Sequence, residues 1–307
     1  MIKRVAVMDL GTNTFHLLIA EGAASDYKEI IHEHDSVKLG EGGINKDIIQ
    51  PAAYERGVNT MQKFRDAILL HNVEDVRAIA TSALRNAANG KEFIDEVAAK
   101  TNINIELING EQEAEYIYKG VKLAGGLGDQ TSLIMDIGGG SVEFILGNAH
   151  NILWKQSFEI GAARLMDKFH QTDPIPSHSI NALNVYLEEH LVTLIAIASK
   201  HPVNALIGSS GAFETFAEVI ELGKSNSFDL NIKNYDFELN ELTSVTDKFI
   251  YSSHNDRKAM KGIIPIRVDM IVVASLITRF IIQKLGINNV CMSTYSLKEG
   301  VLAEIMT

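Results

Sequence analysis

Little in this sequence could cross-link or interrupt the chain. It holds one cysteine, Cys291, and five prolines in 307 residues. A single cysteine excludes an intramolecular disulfide and fits a reducing, cytoplasmic setting. So few prolines, with no low-complexity tract, leave no proline-rich stalk or linker. The lone tryptophan, Trp154, carries no functional signal. Positive charge is also scarce: 28 Lys and Arg face 39 Asp and Glu, for a net charge of −11. That argues against a nucleic-acid coat and against adhesion to an anionic membrane. An anionic substrate stays open, because a bound divalent metal and local arginines can reverse the local sign. Long apolar runs are missing as well. The richest, "MIVVASLITRFIIQ" (270–283), is short and carries Arg279, so it reads as a buried helix. The opening "MIKRVAVMDL" is cut by Asp9 and makes a poor signal peptide. What the sequence does have is core material, 46% hydrophobic residues, enough for one large or two ordinary domains.

Periodicity places the elements. Residues 3–9 and 14–21 read as strands joined by a polar turn. Tyr54, Gly57, Val58, Met61, Phe64 and Ile68 recur at helical spacing. "VRAIATSALRNAANG" reads as a short strand and then a loop, followed by a helix around Phe93, a strand at 103–107 and a helix from Gly110. "LAGGLGDQ" (123–130) is Gly-rich and marks the joint between two domains, 1–124 and 125–307. Beyond it come strand–turn–strand, helices at 162–170 and 178–199, a short strand at 205–207 and a helix from Ala212. A loop at 227–234, helices at 241–252 and 269–285, a strand "NNVCMSTY" and a last helix capped by Ser296 complete the chain. Strands alternate with helices in both halves, so the class is α/β with mixed sheets.

The chain repeats itself. "VMDLGTNTFHLLI" lies over "IMDIGGGSVEFIL", with Asp9 on Asp136, Gly11 on Gly138, Thr14 on Ser141 and His16 on Glu143. Each turn is rich in Gly, Thr, Ser and Asn, which expose backbone N–H groups and hydroxyls with little bulk, a chemistry suited to phosphate. An Asp at each strand end suits Mg²⁺, which takes oxygen ligands. Two such hairpins, one opening each half, point to a clamp on a polyphosphate rather than to two unrelated Asp-Gly turns.

These pieces resemble the paired phosphate loops of the actin, sugar-kinase and heat-shock-chaperone superfamily. More closely, the chain resembles the exopolyphosphatase and guanosine pentaphosphate phosphohydrolase (Ppx/GppA) family. The carrying segments are "DLGTNTFHLLI", "ATSALRNAAN", "INGEQEAEYIYKGV", "DIGGGSVEF", "IGSSGAFETFAEV", "IPIRVDMIVVAS" and "YSLKEGVL", in family order over nearly the whole chain. The resemblance implies two duplicated actin-like (ribonuclease H-like) lobes with an active site in the cleft between them, the last helix (about 297–307) packing on the first lobe. It implies hydrolysis of a terminal phosphoanhydride of polyphosphate, conversion of pppGpp to ppGpp, or both, with Mg²⁺ or another divalent metal, and a homodimer.

The same resemblance assigns roles. Glu113, in the first turn of a helix, is the water-orienting catalytic carboxylate; Gln112 stands where many relatives have a second Glu. Glu143 assists with water or metal, and Asp9 and Asp136 with metal. Thr12, Asn13, Thr14, Gly138, Gly139, Gly140 and Ser141 bind phosphate, and Arg85 supplies a guanidinium fork. Gly208, Ser209, Ser210 and Gly211 form a turn before a helix N-terminus, which attracts an anion; Ala212-Phe213 replaces the family's usual Thr-Ile. His16 is read as structural, Arg267 and Asp269 as an ion pair bracing the next helix, and Cys291 as packing. "HEHD" (32–35) has His-x-His spacing, but no further ligands of matching spacing, and reads as a solvated strand edge. Two rivals remain: a kinase of the same superfamily, for which no second-substrate signature is found, and a sensor that binds (p)ppGpp or polyphosphate without turnover.

Overall fold

A computed structural model describes residues 3–24, 26–229 and 232–306. The chain divides into two compact units, Met1–Leu123 with Leu297–Thr307, and Ala124–Ser296.

The first unit contains β1 (Arg4–Leu10), β2 (Phe15–Ala23), β3 (Asp26–Asp35), α1 (Pro51–Leu70), β4 (Asp75–Ala80), α2 (Ser82–Asn86), α3 (Gly90–Thr101), β5 (Ile105–Leu107) and α4 (Gly110–Leu123). Its sheet runs β3-β2-β1-β4-β5. The first three strands form an antiparallel meander, and β4 and β5 add in parallel. Strand alternation sends Ala6, Met8, Leu10, Phe15, Leu17 and Ile19 into one core with Met61 and Phe64 of α1 and Phe93 of α3. Each fully buried Phe or Met there stabilises by about 1.5–3 kcal/mol. Phe93 meets Phe15 and Tyr54 edge-on, at 6.4 and 5.2 Å between ring centroids. It fits only because position 57 is glycine: a Cβ there would lie 2.7 Å from its ring.

The second unit contains β6 (Ser132–Ile137), β7 (Val142–Gly147), β8 (Ile152–Phe158), α5 (Ala162–Phe169), α6 (Ser177–His190), α7 (Val192–Ala198), β9 (Ala205–Ser209), α8 (Gly211–Gly223), β10 (Asn234–Phe237), α9 (Leu239–Tyr251), α10 (His254–Ala259), α11 (Met270–Leu285) and β11 (Val290–Ser293). Its sheet runs β10-β11-β9-β6-β7-β8. Here too a meander, β8-β7-β6, is extended in parallel, by β9 and β11. The repeat therefore holds at the level of whole sheets, and the antiparallel edge strand β10 is the addition. Strands β6 and β7 are buried along their whole length, as strands covered on both faces are.

The last helix, α12 (Leu297–Ile305), belongs to the first unit and packs on α4 and β1. Gly300 makes that approach possible: a Cβ there would sit 1.9 Å from the Tyr116 carbonyl oxygen.

Several elements depart from the sequence reading. The stretch after β4, expected as loop, forms the short helix α2. The single helix expected over 178–199 is two, α6 and α7, which meet at the fully buried Leu191. Strand β8 carries Lys155 and Gln156 among its apolar residues, so its sequence gives no clean alternation; pairing with β7 defines it. Part of the loop expected at 227–234 lies outside the described residues, and Asn234 opens β10.

Candidate active site: two glycine-bearing loops and their carboxylates

The two hairpins match residue for residue. Asp9 stands opposite His16 across β1 and β2, and Asp136 stands opposite Glu143 across β6 and β7. In each turn the chain folds back closely on the glycine. A Cβ on Gly11 would lie 3.0 Å from the Thr14 carbonyl oxygen, and one on Gly138 would lie 3.0 Å from that of Ser141.

A later segment of the chain fixes the peptide planes of each loop. In the first, the Thr12 carbonyl accepts from Gly40 N–H (3.1 Å) and the Asn13 carbonyl from Lys38 N–H (2.8 Å). In the second, the carbonyls of Gly138, Gly139 and Gly140 accept from the N–H groups of Ala162 (2.9 Å), Ala163 (2.9 Å) and Gly161 (3.2 Å). Arg164 Nε also donates to the Gly140 carbonyl (2.9 Å), and its guanidinium is held by Glu159 at 2.9 Å. A trans peptide directs its N–H opposite to its C=O. Tying down these carbonyls therefore turns the N–H groups of Asn13 and Thr14, and of Gly139, Gly140 and Ser141, to the other side of each loop. Successive N–H groups turned one way make an anion cradle.

The second unit carries the carboxylate pair. Cross-strand partners share a sheet face, so the Asp136 and Glu143 side chains lie together, at 8% and 1% exposure. Ser296 Oγ donates to Asp136 (2.5 Å) and Ser157 Oγ to Glu143 (2.6 Å). Serine hydroxyls orient the carboxylates without neutralising them. Two buried, adjacent carboxylates fit a hard divalent cation of the Mg²⁺ kind, which takes one or two carboxylates and completes its shell with water and phosphate oxygens. Asp9, the third expected metal residue, stands on the first unit. Among the described residues no three His, Cys, Asp or Glu side chains converge on one metal-binding point.

Glu113 and Arg85 were read from separate motifs, and the fold joins them. Arg85 Nη1 donates to Glu113 Oε2 (3.1 Å) and to the Ile108 carbonyl (3.1 Å). Glu113 is 7% exposed in the first turn of α4. That turn is closed by a reciprocal cap: Gln112 N–H donates to Asn109 Oδ1 (2.9 Å), and Asn109 N–H to Gln112 Oε1 (3.1 Å). Gln112, the departure from the family pattern, thus has a structural use.

The Gly208–Gly211 turn is tightly packed. Ser210 has φ 78° and ψ 170°, a backbone region that favours glycine, and its Oγ donates to the Ile137 carbonyl (3.1 Å). Ser209 is fully buried, and its hydroxyl has no hydrogen-bond partner among the described residues. A Cβ at Gly211 would lie 2.0 Å from the Arg267 guanidinium, which lies over the start of α8. Arg267 bonds Glu214 (3.0 Å) and Thr215 (2.9 Å) of that helix rather than Asp269. Asp269 instead binds His254 Nδ1 (2.6 Å) and Arg257 (3.3 Å). The expected Arg267–Asp269 pair is thus replaced by two separate ones. Burial pushes the Cys291 thiol up to about 11, so it is no nucleophile at neutral pH.

Sequence reasoning missed Gly161, Arg164, Ser157 and Ser296. Gly161 left a signal in the small-residue run before α5; a Cβ there would lie 2.4 Å from the Gly139 carbonyl oxygen. Ser157 needed the pairing of β8 to be known.

Two mixed sheets built on one repeated pattern, each with a glycine-bearing loop after its first strand, define an α/β protein of the actin-like class. The chain matches the model of the Ppx/GppA phosphatase family over residues 18–307 and belongs to that family. It is similar to the crystal structure of an exopolyphosphatase from Cytophaga hutchinsonii, with a TM-score of 0.96 and 40% identity over 99% of this chain and 98% of that one. It is 31% identical to a bifunctional 3-dehydroquinate synthase/phosphatase of Fusobacterium nucleatum, matching 97% of this chain but 46% of that protein's length. It is 26% identical to a putative exopolyphosphatase of Haemophilus influenzae, over 98% of this chain and 91% of that one.

Proposed function

We propose that this chain is a metal-dependent exopolyphosphatase that releases the terminal phosphate of inorganic polyphosphate, with the 5′-triphosphate end of pppGpp as a second substrate of the same chemistry. The observation that carries the reading is the buried Asp136–Glu143 pair at the mouth of a loop whose N–H groups are turned away from their tied carbonyls. Family membership and the likeness to the Cytophaga hutchinsonii exopolyphosphatase support it.

In this reading each loop holds phosphate oxygens through backbone N–H groups and the hydroxyls of Thr12 and Thr14 in the first and Ser141 in the second. Asp136 and Glu143 hold Mg²⁺, which when bound offsets negative charge on the phosphoryl oxygens. Glu113, oriented by Arg85, accepts a proton from water as the water oxygen attacks the terminal phosphorus. The bridging oxygen leaves with the shortened chain. Positioning and charge balance are most of what such a transfer requires of a protein.

The test is phosphate release from medium-chain polyphosphate and from pppGpp, with Mg²⁺ or EDTA, for wild type and Glu113→Gln. Mg²⁺-dependent release lost in the variant is expected. Binding of both compounds without turnover would instead make the protein a sensor and remove the role given to Glu113.

A further inference from the structure

The first turn of α12 breaks two rules at one position. Lys298 is the second residue of that helix, where the helix dipole disfavours a cation. It is also largely withdrawn from water. Its side chain is 14% exposed, and that of Glu299, its ion-pair partner at 3.1 Å, is 5% exposed. Desolvating two charges can cost more than their attraction returns, so a buried pair is weak evidence for stability. Proteins break such rules chiefly at functional sites. The packing of the helix gives that function a place. Gly300 sits against Tyr116, and one turn later Glu304 reaches Lys119 (2.8 Å), so α12 and α4 run in the same direction. The turn before Gly300 therefore lies beside the turn before Tyr116, which carries Glu113. The same helix packs on β1, whose end leads into the first loop. The chain enters this turn straight from Ser296, which donates to Asp136.

From this placement we propose that Lys298 is a further substrate-binding residue, a cation for the phosphate groups of a polyphosphate chain. The proposal rests on the phosphatase reading for its ligand and supplies a cation that the reading lacks. The Arg85 guanidinium is already shared between Glu113 and the Ile108 carbonyl. The N–H and hydroxyl groups of the two loops carry no net charge, whereas each phosphate of the substrate is anionic. An ammonium is a compact point charge with three donors, more than one carboxylate oxygen takes up. Glu299 at the next position fixes the place of the ammonium, and an acid suits the first turn of a helix.

The experiment is calorimetric titration of medium-chain polyphosphate, in Mg²⁺, into proteins that all carry Glu113→Gln, so that the bound chain is not consumed. Lys298→Met should weaken binding at least roughly tenfold, the low end for a hydrogen bond to a charged group. Lys298→Arg keeps the cation and should recover most of that loss. The double variant Lys298→Met/Glu299→Gln leaves no lone buried charge, so its melting temperature should match that of its parent. It should nevertheless bind as weakly as Lys298→Met. A purely structural pair predicts the reverse, with binding restored once both charges are gone. Undiminished binding by the folded double variant overturns the proposal, as does Lys298→Arg binding no better than Lys298→Met. So does a parent protein that binds no polyphosphate. These titrations read binding without turnover, and phosphate release by the wild type decides the phosphatase reading separately.

Discussion

Asp136 and Glu143 face each other on adjacent antiparallel strands, almost fully shielded from water, Asp136 accepting from the Ser296 hydroxyl and Glu143 from that of Ser157. Like charges in directly opposed positions destabilise a sheet. Asp136→Asn is therefore expected to do two opposite things. It should weaken Mg²⁺ binding and phosphate release by more than about 100-fold, and it should stabilise the metal-free protein by about 0.2–1 kcal/mol. Calorimetric Mg²⁺ titration and urea unfolding in EDTA measure the two effects. A metal-free variant less stable than wild type would show that the pair is not repulsive.

Glu113→Gln keeps the side chain's shape and removes its basicity. A fall of about 10²–10⁴ in kcat with KM little changed is expected, the usual contribution of a positioned base. Arg85→Lys keeps the charge but loses the planar fork that bonds Glu113 and the Ile108 carbonyl together. Its kcat should fall as well, by less. Steady-state phosphate release distinguishes these outcomes from a simple loss of binding.

Gly161→Ala tests the second loop without touching its residues. Glycine is required at 161 for space alone, since its φ of −62° suits any residue. The added methyl would displace Gly139 and Gly140. KM should rise at least about tenfold with the fold retained, because an ångström-scale misplacement is costly in such sites. An unchanged KM would mean that the loop shifts without consequence.

Glu304 latches α12 by ion pairs to Lys119 (2.8 Å) and Arg77 (3.0 Å) and a hydrogen bond from Tyr116 (3.1 Å). The bond from Lys119 foremost, with Tyr116 and Arg77, holds its carboxyl below the ordinary value of 4.5, against the opposing effect of burial. A carboxylate depressed on folding stabilises above its unfolded value, and that stability is lost as pH falls through the folded value. Glu304→Gln should thus lower the melting temperature by roughly one or two degrees near pH 7, a modest effect for a half-exposed network. The difference should close as pH falls below about 4.5. A gap independent of pH would assign the effect to packing.

Arg257 is fully buried and donates to Asp173 (2.6 Å), Asp269 (3.3 Å) and the Val268 carbonyl (2.6 Å). Its loss leaves the Val268 carbonyl without that donor, while the carboxylates of Asp173 and Asp269 still reach solvent. Arg257→Ala should destabilise by about 1–3 kcal/mol in urea unfolding. A loss below about 1 kcal/mol would show that water replaces the guanidinium.

The paired hairpins were legible because their chemistry is local: Asp, Gly and small polar residues recur at fixed offsets, and the registers Asp9–His16 and Asp136–Glu143 agree with that alignment. Glu113 and Arg85 were each singled out, but their contact was not, because 28 residues separate them and only the fold closes the gap. The partners of Arg267 and Asp269 were misread for the same reason: Glu214 and Thr215 lie over 50 residues away, and nearness in sequence favoured the wrong pair. Short elements such as α2 and β10 were missed because five and four residues are too few to show a period.

The first unit is closed by the last helix of the chain, whereas the second is built from one unbroken segment. A ribosome delivers residues in order, so every part of the second unit emerges before α12 does. Until then the backbone of Tyr116, against which Gly300 packs, has no partner helix. The half synthesised first is therefore the half completed last, and a nascent chain stalled before residue 297 carries a finished second unit beside an uncapped first one.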